Sequence, residues 1–340
     1  MTAALLRGFA ALLIALVLLP ARATDAGGVV RPPVAFELVA LGVQGGLQNG
    51  DLSAWLARAS GEDHYLAMDA GTLLPGIERA LRRGALGPPP TPDAIAVAAG
   101  QVLRDRIAGY FISHPHLDHV AGLLIASTDD SRKPIFGLAS TLDALSRDYF
   151  NWSAWPNFAD RGPPPALGKY RLRAQPPGQW FNIDGTALQG LLLPLQHDRM
   201  TSSLVLLRHQ GAYLAYFGDT GADAVQHSTR LSEAWRQLAP LARTGTLRAV
   251  VIETSFPDDV PDAQLYGHLT PHWLLHELHV LATQAGGPQA LRGLPVVVTH
   301  IKPSLQAGRD PRALIAAQLQ AGNDLGVVFL FPRQGDRFSF

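Results

Sequence analysis

Three of the chain's 12 histidines lie within the six-residue stretch HPHLDH, which contributes His114, His116, Asp118 and His119. Neutral imidazoles and carboxylates are the donors that zinc and similar ions bind. Alternate residues of an extended segment point to the same side, so His114 and His116 can hold one ion. Asp118 and His119 then enter the next helix and can hold a second. A helix cap at Asp118 would leave three histidines unexplained, so the spacing indicates a two-metal centre.

Other metal-type side chains follow apolar stretches that read as strands. His114 follows YFIS, His197 follows LLLPLQ, Asp219 follows AYFG and His300 follows VVVT. Strand ends that face one edge of a sheet are where such folds place ligand sites. We therefore expect these four side chains to meet. Taken singly, each is as consistent with a hydrogen-bonded histidine or a turn aspartate as with a metal ligand.

Strand and helix patterns are interleaved along the chain. Apolar runs predict strands at AFELVALGV, YLAMDAG, AGYFISH, LQGLLLPLQH, SSLVLLRH, AYLAYFGD, RAVVIETS and PVVVTH. Helical periodicity predicts helices at 74–84, 93–106, 221–240, 271–284 and 309–321. Hydrophobic residues make up 47% of the chain and charged residues 16%, which is enough apolar material for a core and argues against disorder. The pattern favours a layered α/β or α+β sandwich.

The first 23 residues differ from the rest. Arg7 precedes the apolar run GFAALLIALVLLP, and Ala21-Arg22-Ala23 fits a cleavage site, so residues 1–23 are predicted to be a secretory signal peptide. Residues 24–35 read as a loose leader. The apolar run contains Pro20 and is shorter than the roughly 18–20 residues of a membrane span, so we expect no stable membrane anchor after cleavage.

The charge balance excludes a general nucleic-acid binder. The whole chain carries 28 basic and 28 acidic residues, and loss of the signal peptide with Arg7 and Arg22 gives a net charge of −2. No basic stripe is visible along the chain, so no field attracts nucleic acid. The chain has no cysteine, so it forms no disulfide, and any zinc must be held by histidine and carboxylate.

HPHLDH resembles the H-x-H-x-D-H signature of the metallo-β-lactamase fold, and the longer HPHLDHVAGLLIAS resembles the class II 3′,5′-cyclic-nucleotide phosphodiesterases. Six further stretches agree: IFGLASTLDAL, FNWSAWPNF, YFGDTG, IETSFPD, GHLTP and THIKPSL. Together they span about residues 36–305, and the visible departure is Thr128, where the family usually has a small residue or proline. The resemblance implies a four-layer αββα sandwich over residues 36–340, with an insertion at about 128–184.

The resemblance also implies a complete ligand set. One ion would be bound by His114, His116 and His197, the other by Asp118, His119 and His300, with Asp219 between them. Two divalent ions are expected, zinc first, with manganese, iron or cobalt as alternatives. The implied reaction is hydrolysis of cAMP and cGMP, in which a hydroxide that bridges the ions attacks phosphorus and the ring opens to a 5′-monophosphate.

Two residues are predicted to be catalytic, Asp118 and His268. A mixed His/Asp shell such as that of Asp118 leaves a position for water, whereas a storage site prefers a closed shell. In YGHLTP, Thr270 and Pro271 fit a helix start, and His268 is not needed for that cap. By resemblance His268 borders the active site, where it would contact phosphate or assist the leaving group.

The stretch FNWSAWPNF carries Trp152 and Trp155, which could form a wall for a purine base or simply belong to the core. Asp69, in AMDAG, resembles a strand-end aspartate common in this fold, and the resemblance implies that it supports the metal ligands without binding the ions itself. HWLLHELHV is HExH rather than HExxH, so its histidines are predicted to have an ordinary surface or packing role rather than to bind metal.

Two other functions stay open at this point. One is another hydrolase of the same fold, acting on a phosphodiester, thioester or lactam. The other is a periplasmic metal-binding protein without catalysis. The signal peptide implies a secreted protein in either case, and the family resemblance implies a bacterial one, whose compartment would be the periplasm. The preferred partner is a small cyclic nucleotide.

Overall fold

A computed structural model of the chain describes residues 33–340. The predicted signal peptide, residues 1–23, and nearly all of the predicted leader lie outside the described residues, so both stay predictions. Within residues 33–340, no helix combines the length and the apolar character that crossing a bilayer requires.

Seven strands form a first mixed sheet. Their order is β14-β1-β2-β3-β4-β5-β6, so the C-terminal strand pairs with the first. The strands are β1 (Phe36–Gly42), β2 (Ala54–Ala59), β3 (Tyr65–Ala70), β4 (Ile107–Phe111), β5 (Lys133–Gly137), β6 (Tyr170–Ala174) and β14 (Arg337–Ser339). The strands β3 to β6 run parallel to one another, which brings the ends of β3 and β4 to the same edge.

Seven more strands form a second mixed sheet in the order β13-β12-β11-β10-β9-β8-β7. They are β7 (Trp180–Asn182), β8 (Gln189–His197), β9 (Met200–His209), β10 (Ala212–Phe217), β11 (Leu247–Glu253), β12 (Pro295–Thr299) and β13 (Val328–Leu330). β10, β11 and β12 are parallel and end together. The predicted insertion, residues 128–184, supplies β5, β6 and β7, and its extent as an insertion stays a prediction.

Within residues 33–340, eight α-helices connect these strands: α1 (Leu74–Arg82), α2 (Ile95–Gln101), α3 (Leu117–Ala126), α4 (Ala139–Ala144), α5 (Asp223–Gln226), α6 (Arg230–Arg243), α7 (Pro271–Gln284) and α8 (Pro311–Ala321). The bounds of α7 are those predicted, because the Thr270 side chain accepts a hydrogen bond from the Trp273 amide and Pro271 occupies the first position. The single helix predicted at 221–240 is wrong. His227 adopts a left-handed φ of 49°, which ends α5, and Asp223 accepts hydrogen bonds from the first turn of α6.

The two sheets pack face to face. Trp55, Leu66 and Phe111 of the first sheet share one buried cluster with Val205 and Val251 of the second. Residues of α1, α2 and α3 bury the outer face of the first sheet, and residues of α6, α7 and α8 bury that of the second. The four-layer αββα sandwich is therefore confirmed.

Candidate metal centre

All seven predicted metal ligands converge at the edge where the strand ends of both sheets meet. Each lies at or just beyond the end of a strand, or in the first turn of α3. The first sheet supplies those that follow β4, and the second supplies those that follow β8, β10 and β12: His114, His116, Asp118, His119, His197, Asp219 and His300. This placement follows from the parallel strands, whose carboxyl ends share one edge.

His114, His116 and His197 form the first group of donors, with ligand atoms within 4.8 Å of one another. The Nδ1 atom of His116 lies 3.1 Å from Nε2 of His114 and 3.3 Å from Nε2 of His197. Burial lowers the pKa of all three rings, that of His114 far below its usual value. They are therefore neutral at pH 7, with lone pairs that a cation can use.

Asp118, His119 and His300 form the second group. Nε2 of His300 lies 3.2 Å from Oδ2 of Asp118, which also accepts a hydrogen bond from the Gly46 amide at 3.0 Å. A Cβ atom at Gly45 would clash with the His300 ring, so this loop needs a glycine to approach the centre. Burial alone would raise the pKa of Asp118, but the hydrogen bond to His300 and the charge of His119 lower it.

Asp219 lies between the two groups. Its Oδ1 is 3.3 Å from Nε2 of His119, and its Oδ2 is 3.2 Å from Nε2 of His300 and 3.8 Å from Nε2 of His114. Burial would raise the pKa of this carboxyl, but the imidazoles of His300 and His119 hold it well below its usual value. One ionised carboxylate thus faces both groups, as a bridging ligand must.

The donor set fits a pair of divalent cations. Nε2 of His119 is buried and has no hydrogen-bond partner among the described residues, although Oδ1 of Asp219 is near. Leaving such a polar atom unsatisfied costs about 1–3 kcal/mol. Burial lowers the pKa of His119, but Asp219 and Asp69 outweigh it and raise that pKa well above its usual value. The position therefore attracts positive charge, and a metal ion there would satisfy both groups.

Asp69 supports the centre by contacting His119, one of the predicted metal ligands. Its Oδ2 lies 2.8 Å from Nδ1 of His119 and accepts hydrogen bonds from Ser113 Oγ and Tyr216 Oη, each at 2.8 Å. Its Oδ1 accepts the Ser113 amide. Asp69 therefore orients His119 and joins β3 and β4 of the first sheet to β10 of the second.

His268 joins the cluster, together with a residue that the sequence analysis missed. Nδ1 of His268 lies 3.8 Å from Oδ2 of Asp219 and donates a hydrogen bond to Oε1 of Glu253 at 2.8 Å. Glu253 is buried and also accepts hydrogen bonds from Ser255 Oγ and from the amides of Thr220 and Leu269. Its signal was available, since Glu253 ends β11 in IETSFPD as the other donors end their strands.

Some of these side chains line a cleft of about 440 Å³. Its lining combines metal donors with residues of the β8–β9 turn and of the loops before α7 and after β12. The lining residues are His116, Asp118, His197, Asp198, Arg199, Met200, Asp219, Tyr266, His268 and Lys302. A cleft of this size suits a small molecule, for which sites of roughly 300–1,000 Å³ are usual.

The sequence profile of the class II cAMP phosphodiesterases matches residues 93–335. The chain belongs to this family. A probable 3′,5′-cyclic-nucleotide phosphodiesterase from Yersinia pestis is 47% identical over 309 residues, covering 90% of each chain. A 3′,5′-cyclic-nucleotide phosphodiesterase from Aliivibrio fischeri is 44% identical over 308 residues, covering 90% of this chain and 93% of the relative. The resemblance noted from HPHLDHVAGLLIAS is confirmed.

Solved structures of other proteins share the fold of this class II family member. Unliganded yeast PDE1 superposes with a TM-score of 0.77 at 23% identity, covering 91% of this chain and all of the other. YhfI from Bacillus subtilis, a metallo-β-lactamase fold protein, gives a TM-score of 0.58 at 14% identity, again over 91% of this chain. Identities this low show the fold alone, and they confirm the metallo-β-lactamase-like architecture.

The structure does not bring Trp152 or Trp155 to the cleft of this family member. The Trp155 indole donates to Ser127 Oγ at 2.9 Å, and its ring packs against the core under the first sheet. The Trp152 indole donates to the Pro165 carbonyl at 3.1 Å. Neither residue is part of the cleft lining, and their predicted role as a wall for the base stays a prediction.

The histidines of HWLLHELHV lie on the exposed face of α7, as predicted. His272, His276 and His279 are all exposed, and His279 pairs with Asp324 at 2.9 Å. They belong to none of the described donor groups.

Proposed function

We propose that the chain hydrolyses 3′,5′-cyclic nucleotides, cAMP and cGMP among them, to nucleoside 5′-monophosphates at the centre around Asp219. The observation that carries this proposal is the pair of donor groups that face the two oxygens of one buried carboxylate. The two relatives named for this activity match the chain over 90% of its length. Five histidines and two aspartates, without cysteine, favour zinc as the resident metal.

His114, His116 and His197 would hold one ion, and Asp118, His119 and His300 the other, with Asp219 shared. Bound there, two divalent ions supply a water of lowered pKa as the nucleophile and neutralise charge on the phosphoryl oxygens. Lys302 lines the same cleft, and within residues 33–340 no carboxylate pairs with its ammonium group. It is therefore free to attract the anionic phosphodiester into the cleft.

His268 is placed to protonate the departing 3′ oxygen when the bond from phosphorus to that oxygen breaks. Its Nδ1 is hydrogen-bonded to Glu253, so Nε2 is the ring nitrogen left for the substrate. The buried carboxylate of Glu253 fixes the ring and makes a charge-assisted hydrogen bond to it while the ring holds the proton. Glu253 thus positions the donor without touching the substrate.

The proposal is tested with the metal-loaded protein that lacks residues 1–23, assayed against cAMP, cGMP, single-stranded RNA, a β-lactam and an acyl-glutathione thioester. We expect turnover of the cyclic nucleotides alone, with the 5′-monophosphate as product. Turnover of RNA, the lactam or the thioester without any cyclic nucleotide would contradict the proposal. Glu277→Gln is a suitable control for substitutions of Glu253, because Glu277 is also a buried glutamate but contacts Trp235 and Asp223 away from the cleft.

We also propose that the protein is exported to the periplasm. The support is the basic start, the apolar run and the Ala21-Arg22-Ala23 site of residues 1–23. Cell fractionation with N-terminal sequencing should find a mature protein that begins at Thr24. A full-length chain that stays with the cytoplasmic fraction would contradict this.

A further inference from the structure

We infer that Tyr266 is the platform on which the nucleobase of the substrate stacks, an inference that rests on the proposed function. Tyr266 lines the cleft together with His268 and Lys302. Among the lining residues, it supplies the only aromatic ring that is not a histidine. The phosphate and an aromatic surface for the base are therefore available within one cavity.

The ring of Tyr266 is open to a ligand. The residue is 67% exposed, and no other aromatic ring of the described part of the chain packs against it. Tyrosine commonly buries its apolar body or bonds its hydroxyl, so an exposed ring at the rim of a cleft indicates a binding surface. Every base has a π-face, and stacking on an aromatic side chain changes affinity by about 5- to 150-fold.

The backbone that carries Tyr266 is closely constrained. Tyr266 has a left-handed φ of 51°, which bulky side chains seldom adopt. The next residue, Gly267, has a φ of 80°, and its carbonyl accepts a hydrogen bond from Nδ1 of His197 at 2.9 Å. A Cβ atom on Gly267 would clash with the Asp198 amide, so the loop is packed against the β8–β9 turn. The strained residue is thus tied directly to a predicted metal ligand.

This arrangement gives each part of a cyclic nucleotide its own partner. The metal donors and Lys302 face the phosphate, and His268 serves the 3′ oxygen. Tyr266 lies two residues before His268 in the same short loop. The base, which projects from the sugar away from the phosphate, then falls on the tyrosine side of the cleft.

Trp152 provides an instructive comparison. It is also an exposed aromatic residue, at 44%, with a left-handed φ of 66°. Its indole, however, donates to the Pro165 carbonyl within its own loop, and it does not line the cleft. The exposed side chain of Trp152 therefore has a hydrogen-bond partner in its own loop, whereas the Tyr266 side chain has none among the described residues.

The test compares cAMP with a substrate that lacks the base, 1-deoxyribose 3′,5′-cyclic phosphate, on the metal-loaded protein. Tyr266→Gly removes the ring and suits a left-handed φ, so the melting temperature should not fall. We expect the KM for cAMP to rise by about 5- to 150-fold, while kcat and the base-free reaction change little. Tyr266→Phe should stay within about 3-fold of the parent because it keeps the π-face.

Trp180→Ala is the matched control, because Trp180 is an exposed aromatic residue on β7 that stacks with Arg208 outside the cleft. This variant should leave KM and kcat unchanged for both substrates. Calorimetry adds a readout without turnover: the parent should bind 5′-AMP more tightly than ribose 5-phosphate, and Tyr266→Gly should remove most of that difference.

The outcomes separate this inference from the proposed function. A parent that turns over neither cyclic phosphate overturns the proposed function. A parent that turns over both with equal kcat/KM, or a Tyr266→Gly variant that loses both equally, overturns the stacking role alone. A rise in KM for cAMP with Trp152→Ala and not with Tyr266→Gly assigns the base to the tryptophan loop and also overturns the inference.

Discussion

Replacing His268 by alanine should impair one class of substrate far more than another. If Nε2 of His268 protonates the 3′ oxygen, its loss should lower kcat for cyclic nucleotides by about 10²–10⁴. Bis(4-nitrophenyl) phosphate has a leaving group that needs no proton. Its hydrolysis should therefore fall only slightly in the same variant.

The structure indicates that this loss of activity would not come from unfolding. Without the imidazole, Glu253 keeps its hydrogen bonds from Ser255, Thr220 and Leu269. Removing one partner from a buried polar group costs about 1–3 kcal/mol. Domains of ordinary stability have about 5–15 kcal/mol, so the variant should remain folded.

The assay measures kcat for both substrates on protein of known metal content, at saturating metal. His276→Ala is the control, because His276 is an exposed histidine of α7. The ratio of the two losses is the decisive quantity, and we expect it to exceed about 10². If both activities fall by the same factor, His268 is not the acid and instead positions the phosphate or the metals.

Three further predictions concern carboxylates: Asp219 and Glu253 beside His268, and Asp51 in the loop between β1 and β2, where it accepts a hydrogen bond from the Val43 amide. Asp219→Ala should reduce bound metal from about two ions per chain and lower kcat sharply, whereas the melting temperatures of the metal-free variant and parent should differ little, since Asp219 lies at a strand end; near-parental turnover would show that the bridge is misassigned. Glu253→Gln should lower kcat for cyclic nucleotides by roughly 10- to 150-fold by weakening a charged hydrogen bond of about 1.5–3 kcal/mol, whereas Glu277→Gln should not; equal effects would remove Glu253 from the mechanism. Burial raises the pKa of Asp51 from 3.8 to about 6, so the folded state binds a proton more tightly and this contribution to stability is lost as the pH rises from about 4 to 6. Between pH 4.5 and 7, the free energy of unfolding measured in urea should fall less in Asp51→Asn than in the parent. Identical changes in the two proteins would refute this role of Asp51.

Part of the metal centre could be predicted because its signals are local in the sequence. HPHLDH carries four donors in six residues, whereas His197, Asp219 and His300 each follow an apolar strand and are assigned as ligands through the resemblance to the family. The start of α7 could be predicted in the same way, since Thr270 fits a helix cap and Pro271 fits the first position of the helix. Short-range spacing and caps act through neighbouring residues, so they can be read without knowing the tertiary structure.

Features that depend on distant contacts could not be read in this way. The hydrogen bond between Glu253 and His268 joins two separate elements and exists only once the loop before α7 folds onto β11. The strand β2, AWLARA, is missing from the predicted strands, and its place in the sheet depends on pairing with β1 and β3. Trp155 shows the same limit, because its packing against the core follows from the path of the loop that carries it.

The donors of the metal centre come from both sheets, so bound ions would also stabilise the packing of one sheet on the other. His119 and His300, both assigned to the second ion, lie 181 residues apart and follow strands of different sheets. A metal ion bound by both would act as a cross-link in a chain that has no disulfide. By the loop-closure argument used for disulfides, fixing a loop of that length would stabilise the fold by about 5 kcal/mol. Binding of the ions would then be linked to folding, so that the free metal concentration would set resistance to unfolding as well as activity.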